Sequence, residues 1–592
     1  MSRYRMSGSV MTHPKRLRAA EKLAASAPPG ALRVVMDPDP GGRPSVLRTA
    51  LAAWSAIEED ATHHLVVQDD MILSAGLFAR ARAAIEQMPD AALALFALWD
   101  SRNGAAVRFG ALAGARWVGA VNEYFPCVAI VLPRNAAAGF VRYGRERLDG
   151  WPDDILMYRY LSARGIPSYV SVPNLAEHED HGSISGNAFR GPRRSVCFVP
   201  SDLPGDEGAR LTGLRVVPFF KHGVAQCAVR HPGPGPTRWL HLTCEQYLDG
   251  AGVRTAGRTG RGRPAIVRMA EGIAPGAADA TWLTALTMGF TALREGHRAD
   301  GGGTAGTPLP DAAVVREALS TVGPGGISQG HTEEQIAACR DALLRVAREG
   351  LDAGREEAAR LRAPGARTHT RTPSVEVLGA ATPLGEHLVR TLSDRGHRVA
   401  AGTPGRRTGS APAATVDLRP LRGGGPASVR VTVRANGAPY APARVRTLLV
   451  GDVYGPGCGR ESRIGRMVWE ALRSRPVVLD DAAESPVHPL HVRDLADAVS
   501  LVLRTPPSEP AVSLAEAVRC TVGELAETVR ASVRPVAVET GAATAAAPRR
   551  ADPPGPPDPP QLRGWRPAVG LAYGLHTHAQ WLAYEGVRLV PL

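Results

Sequence analysis

Val375-Glu-Val-Leu-Gly-Ala-Ala-Thr-Pro-Leu-Gly385 runs from a short apolar stretch into a glycine-bounded turn, and its reading decides the fold of the C-terminal third of the chain. Val375 to Leu378 has the apolar make-up of a buried strand. Gly379 to Gly385 leads at once into a predicted helix, Glu386 to Arg395, and Gly396-His-Arg-Val-Ala-Ala401 supplies a second strand. Strand, glycine turn, helix and strand in that order form a βαβ unit of the dinucleotide-binding kind. In such a unit Gly379 and Gly385 let the backbone approach a pyrophosphate at the helix N-terminus, where free N–H groups face the anion. Thr382 stands in the place of the middle glycine and Pro383 follows it, so the fingerprint is incomplete.

Further segments follow in order: Val416-Asp-Leu418, Val453-Tyr-Gly-Pro-Gly457, Pro489-Leu-His-Val-Arg-Asp-Leu-Ala496, Gly564-Trp-Arg-Pro567 and Gly574-Leu575. With the glycine turn, they make residues 374–592 resemble the NAD-dependent epimerase/dehydratase proteins of the extended short-chain dehydrogenase/reductase family. The resemblance implies a shortened Rossmann-like NAD(P)-binding domain. It implies for Asp417 the place of the family's third-strand aspartate near the adenine, and for Tyr454 a place in the family's cofactor-side loop. Tyr454 and His491 either line a pocket or support one. Asp494 reads equally as the N-cap of a helix running to Leu503, and Trp565 as a core residue. The stretch after the second strand, Gly402-Thr-Pro-Gly-Arg-Arg407, has no acid to hold a ribose 2′-hydroxyl. Arg406 and Arg407 suit a 2′-phosphate, which favours NADP over NAD.

Active members of that family carry a Tyr-x-x-x-Lys helix, whose tyrosine serves as general acid and base with its pKa lowered by its neighbours. The stretch from Asp417 to Arg444 is too short for the parallel crossovers that would hold it, since each needs about a dozen residues. Gly423-Gly-Gly-Pro426 breaks any helix there, and Val429-Arg-Val-Thr-Val433 is the one strand it accommodates. Tyr440-Ala-Pro-Ala-Arg444 imitates the motif, but Pro442 opposes a helix and arginine does not release its proton. The expectation is a degenerate domain without the family's chemistry.

Residues 1–231 alternate strand-like runs (Arg33–Met36, His64–Val67, Val128–Leu132) with helical spacing over Arg43–Glu58 and Leu77–Gln87, the pattern of a layered α/β domain. Leu65-Val-Val-Gln-Asp-Asp70 ends a strand in two carboxylates, hard oxygen ligands able to hold a divalent cation against a diphosphate. With Ser9-Val-Met-Thr-His-Pro14, Asp37, the Asp153-Asp154 pair and Glu177-His178, this region resembles metal-dependent glycosyltransferases of the A-type nucleotide-sugar fold. The resemblance implies Asp69, Asp70 and His178 as ligands of Mn or Mg, and Asp153 or Asp154 as the catalytic base. Each has a plainer reading. Adjacent aspartates form turns and caps, Asp153 would cap a helix from Ile155 to Arg164, and Glu177-His-Glu-Asp-His181 would be a solvated loop.

Between these regions, residues 237–362 are mainly helical, with Thr281–Arg294 and Thr332–Arg362 divided by Gly301–Gly306. His231–Pro236, Ala363–Pro373 and Ala551–Pro560 read as linkers. A chain of 592 residues exceeds one hydrophobic core, so three domains are expected: 1–231, 237–362 and 374–592. The net charge of +13 comes with arginine spread evenly along the chain and only 5% aromatic residues, so no nucleic-acid partner is expected. Cys127, Cys197, Cys227, Cys244, Cys339, Cys458 and Cys520 are scattered without a Cys-x-x-Cys pair, which points to a reducing compartment and no structural zinc. Met1 to Ala20 lacks a signal-like apolar core, and the longest apolar run, Ala91–Trp99, falls far short of the ~20 residues of a membrane helix. A cytoplasmic protein without membrane contact is expected. The resulting functional reading is a sugar-metabolism protein that joins a nucleotide-sugar-dependent glycosyltransferase to a degenerate NAD(P)-binding domain. The alternatives are an NAD(P)-dependent nucleotide-sugar epimerase or reductase, and a non-catalytic nucleotide-binding regulator.

Overall fold

The computed structural model describes residues 3–42, 45–121, 123–148, 151–179, 191–230, 239–253, 275–300, 310–362, 374–395, 397–402, 413–418, 428–434, 443–479, 481–515, 519–540 and 559–585. Outside them lie Asp180, His181, His231–Pro236, Gly301–Gly306, Ala363–Pro373, Arg406, Arg407, Gly423–Pro426, Tyr440 and residues 551–558. Two compact units emerge, residues 1–366 with 589–592, and residues 367–588. Both are mixed α/β. Among the described residues no helix is long and apolar enough to cross a membrane.

In the N-terminal unit, strand β1 (Met6–Thr12) pairs in parallel with β2 (Arg33–Met36) on one side and β3 (His63–Gln68) on the other. Helices α1 (Leu17–Ser26) and α2 (Val46–Ser55) make the two crossovers. Ser45 starts α2 by accepting the Arg48 N–H at 3.2 Å, which satisfies one of the amides that every helix start leaves open. The chain continues through β4 (Met71–Leu73), α3 (Leu77–Gln87), β5 (Ala92–Ala94), α4 (Arg102–Ala113), β6 (Trp117–Gly119), β7 (Ala129–Pro133), α5 (Arg134–Arg145), α6 (Asp153–Arg164), β8 (Ser168–Ser171), β9 (Ala176–His178) and β10 (Arg210–Leu211). The main sheet has the order β10-β6-β8-β5-β7-β3-β1-β2, while β4 and β9 form a separate antiparallel ladder. Strand β7 runs against both β3 and β5.

The segment that the sequence set apart as a helical domain starts with a strand instead. β11 (Val216–Lys221), β12 (Val224–Arg230) and β13 (Trp239–Thr243) form one antiparallel sheet, so pairing crosses the expected boundary at 231–237. Next come α7 (Cys244–Gly250), α8 (Pro275–Glu295), α9 (Ala312–Ser320), α10 (Val322–Ile327) and α11 (Glu333–Arg362). Trp282, Leu286, Leu343 and Val346 from these helices share one core cluster with Phe109, Val170 and Phe219. Residues 237–362 are therefore part of the N-terminal unit, because their apolar faces are buried on its sheets.

Helices α8 and α11 cross at backbone contact. A Cβ on Gly354 would lie 2.0 Å from the Leu286 carbonyl oxygen, and one on Gly289 would lie 1.9 Å from that of Leu351. Two opposing effects act on Gly354→Ala. Helix propensity favours alanine by about 1 kcal/mol, whereas forced separation of packed backbones costs about 1–3 kcal/mol. The clash is with backbone, which cannot rotate away, so the net expectation is destabilisation. Thermal unfolding of Gly354→Ala should show a lowered midpoint; an unchanged or raised one would disprove the close crossing.

In the C-terminal unit, β14 (Ser374–Leu378), α12 (Pro383–Asp394) and β15 (Arg398–Gly402) form the expected βαβ unit, with β14 and β15 parallel. Strand β16 (Ala414–Asp417) pairs with the other side of β14. The strand that carries Asp417 is thus a direct neighbour of β14. Val375 and Val377 of β14 are buried and so bury Ala414 and Val416, whereas β15 is mostly exposed. β17 (Ser428–Arg434) then runs antiparallel to β16 and to β18 (Ala443–Leu449). Antiparallel neighbours need only short connections, which is how this stretch fits without crossover helices. The remaining elements are β19 (Asp452–Tyr454), α13 (Arg463–Leu472), β20 (Pro489–His491), α14 (Val492–Arg504), β21 (Ala511–Ser513), α15 (Val522–Ser532) and α16 (Leu571–Tyr584), besides a few two- and three-residue strands.

Candidate functional site

Open parallel sheets bind ligands at the carboxyl ends of the strands, at the point where successive strands depart to opposite sides. In the N-terminal unit that point lies between β1 and β3. The residues that follow the carboxyl ends of β1, β2 and β3 are His13 to Arg16, Asp37, and Asp69 with Asp70. Three of the aspartates singled out in the sequence thus share one edge of the sheet.

The two carboxylates at the end of β3 are buried and closely partnered. Asp69 accepts from the Thr12 hydroxyl. Arg16 Nη1 lies 3.2 Å from Asp69 Oδ1 and 2.9 Å from Asp70 Oδ2. The β4–β9 ladder sets His178 opposite Met71, which brings its Nε2 to 3.2 Å from Asp70 Oδ2. His178 is a buried residue on a strand, so the solvated-loop reading fails for it. Burial raises the Asp69 carboxyl above the usual carboxylate range, against the pull of Thr12 and Arg16. Burial pushes Asp70 the same way, but His178 and Arg16 outweigh it and hold the group down to about 2. Asp37, by contrast, is consumed by a two-pronged pair with Arg48, at 2.7 and 2.8 Å, which lowers its pKa.

Asp153 and Asp154 open α6, with Pro152 at the cap position. Asp153 does not cap the helix, because it is already the first helical residue. Asp154 accepts the Phe125 N–H through its backbone, and Val128 accepts the Gln68 N–H next to Asp69. Burial, and after it Asp153 and Asp154, raise the Cys127 thiol pKa.

Whether a divalent cation fits here turns on donors. Asp70 Oδ1 and His178 Nδ1 are buried without hydrogen-bond partners, but His178 faces Asp70 with Nε2, so its Nδ1 points away and the two atoms do not converge. Among the described residues no group of three His, Cys, Asp or Glu side chains is arranged around one point. Nucleotide-bound Mg does not require three, because one or two carboxylates plus substrate phosphates complete its shell. Asp69 and Asp70 supply two carboxylates, and Arg16 pairs with both of them. Sequence reading overlooked Arg16 and gave Thr12 no role of its own, although the signal was present: a basic residue four positions after the end of the first strand.

In the C-terminal unit the corresponding point lies between β14 and β16, where Asp417 stands opposite Leu378, next to Gly379. Gly379 has φ +90°, a conformation that glycine adopts readily. A Cβ on Gly385 would lie 2.1 Å from the Gly379 carbonyl oxygen, so this position needs glycine for the helix to start so near the strand. The shape of a dinucleotide turn is retained. Its donors are not. Thr382 caps α12 by accepting the Gly385 N–H at 3.0 Å, which occupies an amide that would otherwise face a phosphate. The Gly455–Gly457 loop packs on the same turn, since a Cβ on Gly457 would lie 2.8 Å from the Pro383 carbonyl oxygen. Arg406 and Arg407 lie outside the described residues. Lys221 is the last lysine of the chain, so no Tyr-x-x-x-Lys relay can exist in this unit. That compositional signal was readable from the start.

Tyr454 is buried against α16 and packs edge-on to His491 at 5.3 Å between ring centres. Burial pushes its phenol pKa up, the opposite of what acid–base catalysis would need. His491 caps α14 through Nδ1 and meets Thr577 through Nε2 at 3.1 Å. Asp494 is therefore not the cap; its carboxylate takes the backbone N–H groups of Ala568 and Val569. Trp565 is partly buried against the core and donates to the Asp494 carbonyl.

No protein-family model matches the sequence, and no curated protein matches it. Among solved structures the chain is similar to the dTDP-glucose 4,6-dehydratase of Bacillus anthracis in complex with NAD, at 19% identity over 23% of this chain and 43% of that one, with a TM-score of 0.18. It is similar to the UDP-glucose 4-epimerase of Thermotoga maritima with UDP-glucose, at 14% identity over 35% of this chain and 98% of that one, with a TM-score of 0.25. An NAD-dependent NDP-hexosamine 5,6-dehydratase of tunicamycin biosynthesis aligns at 12% identity over 35% and 97%, with a TM-score of 0.24. These neighbours are members of the NAD-dependent epimerase/dehydratase group, matched at low identity.

The Asp70 environment has a pH signature. Its folded pKa of about 2 lies below the ~3.9 of a free aspartate. Ionised Asp70 therefore stabilises the fold above the free value, and that contribution is lost as pH falls toward 2. Denaturant melts of wild type and Asp70→Asn between pH 5 and 2.5 should differ in slope, with the variant flatter by up to about 2 kcal/mol. Parallel profiles would contradict the assigned pairing.

Proposed function

We propose that the N-terminal unit transfers a glycosyl group from a nucleotide sugar, and that the C-terminal unit is a degenerate epimerase/dehydratase-like domain that carries no redox step. The observation that supports this most is the meeting of Asp69, Asp70 and His178 at the strand ends where a parallel sheet opens for a nucleotide. Asp70 and His178, with Asp69, would hold Mn or Mg. When bound, the cation would neutralise charge on the diphosphate leaving group. The other roles fall to the chain itself. Asp153 or Asp154, at the start of α6, would accept the proton of the acceptor hydroxyl as general base. Thr12 fixes Asp69, and the Asp37–Arg48 pair keeps the end of β2 in place beside it.

A second reading, nucleotide binding without turnover in the C-terminal unit, is favoured by the Gly379 and Gly385 turn beside Asp417. The amide taken by Thr382 argues for weak binding of NAD or NADP. Neither reading involves a nucleic acid or a membrane, and the basic balance of the chain is compositional.

A manganese-dependent assay separates the readings. The full chain should hydrolyse at least one sugar nucleotide slowly in MnCl2, and Asp70→Ala should lower that rate by at least about 100-fold while remaining folded by circular dichroism. Manganese-dependent turnover unaffected by Asp70→Ala would rule out the proposed site. In a thermal-shift series, sugar nucleotides with manganese should raise the melting temperature, whereas NAD and NADP should leave it nearly unchanged.

A further inference from the structure

Strand β7 runs against β3, so the residues that lead into β7 stand where β3 ends. Val128, the last of them, accepts the Gln68 N–H at 2.8 Å, one residue before Asp69. Three residues earlier, the Phe125 N–H donates to the Asp154 carbonyl at 3.2 Å. An extended chain advances at most about 3.6 Å per residue, so Phe125 lies within about 11 Å of Val128. The segment Glu123–Val128 therefore spaces the start of α6 from the acidic end of β3. Whatever fixes the segment fixes that spacing.

The first turn of α4 fixes it. Asn103 is fully buried and meets the segment with three polar groups. Its Oδ1 accepts the Val121 N–H at 2.9 Å, and its Nδ2 donates to the Tyr124 carbonyl at 3.2 Å. Its backbone N–H donates to Oε2 of the buried Glu123 at 3.1 Å. An amide accepts on one atom and donates on the other, so Asn103 holds the chain on both sides of Glu123 at once. A buried, paired network of this kind keeps one geometry, because a displacement leaves a buried polar atom without its partner.

We infer that Asn103 is a positioning residue, which with Glu123 sets the distance between the carboxylates after β3 and the candidate base at Asp153 or Asp154. This rests on the glycosyl-transfer reading of the N-terminal unit and goes further by naming what aligns its two halves. Asn103 acts through the segment: its amide fixes Tyr124, Tyr124 fixes Phe125 through one peptide bond, and Phe125 holds the backbone of Asp154. A base works only within hydrogen-bond reach of the hydroxyl it deprotonates, and a misplacement of about 1 Å costs about 100-fold in rate. Binding of the donor does not depend on the base and is left intact.

The test is manganese-dependent hydrolysis by the full chain of whichever sugar nucleotide it turns over, with water in place of the acceptor hydroxyl. Asn103→Ala should lower kcat at least about tenfold and leave KM for the sugar nucleotide within about twofold. Glu123→Ala should do the same, whereas Glu123→Gln, which still accepts the Asn103 N–H, should keep kcat within about threefold of wild type. On the background of whichever of Asp153→Asn and Asp154→Asn lowers the rate more, Asn103→Ala should add less than about twofold, since it acts through that residue. Losses that simply multiply, or a KM that rises as much as kcat falls, overturn the positioning role and leave the catalytic reading standing. Should Asn103→Ala fail to fold by circular dichroism, the two Glu123 variants decide on the same criteria. A wild-type chain that hydrolyses no sugar nucleotide in MnCl2 overturns that reading and this inference together.

Discussion

Parallel pairing of β1 with strands on both of its sides is the constraint from which the N-terminal unit follows. A parallel neighbour is reached only by a crossover, so α1 and α2 must leave and return. All three strands then end at the same edge of the sheet. The residues after those ends cannot bury themselves in the β-ladder, and polar side chains gather there. Thr12, Arg16, Asp37, Asp69 and Asp70 all occupy that edge for one topological reason.

What these groups do to one another is decided by burial. Two adjacent carboxylates out of water would repel, and the chain answers with one guanidinium shared between them and an imidazole on a neighbouring ladder. The result is asymmetric. Asp70, with two cationic or donor neighbours, is held strongly ionised, while Asp69, tied mainly to a hydroxyl, is not. Buried charge clusters of this kind are costly to assemble and contribute little net stability compared with an apolar core.

The C-terminal unit keeps the βαβ unit and its glycine turn but departs from it after β16. Insertion of the antiparallel β17 between β16 and β18 closes the sheet with short connections. That economy removes the crossover helix on which a proton-relay tyrosine would ride. Elsewhere, polar side chains are turned inward. Thr382 takes the Gly385 amide, Tyr454 lies beneath α16, and Asp494 binds the backbone at Ala568 and Val569. Thr382, His491 and Asp494 each have a partner within the protein.

The sequence by itself determined the local elements: the β14 strand and its glycine turn, the single strand in the Asp417–Arg444 gap, the acidic end of β3, and the absence of lysine beyond Lys221. These are legible because strand and helix periodicity, glycine and proline are read by the nearest residues along the chain. Tertiary structure alone decided what pairs across distance. It set β16 against β14, extended the sheet of β12 to β13 across a proline-rich break, and brought His178 and Arg16 to Asp70. Cap assignments for Asp153 and Asp494 also failed at this level, since one residue of shift in a helix start changes which side chain can reach a free amide. Strand order and ion-pair partners depend on which apolar faces find each other, a choice made by the whole core and by no short stretch of it.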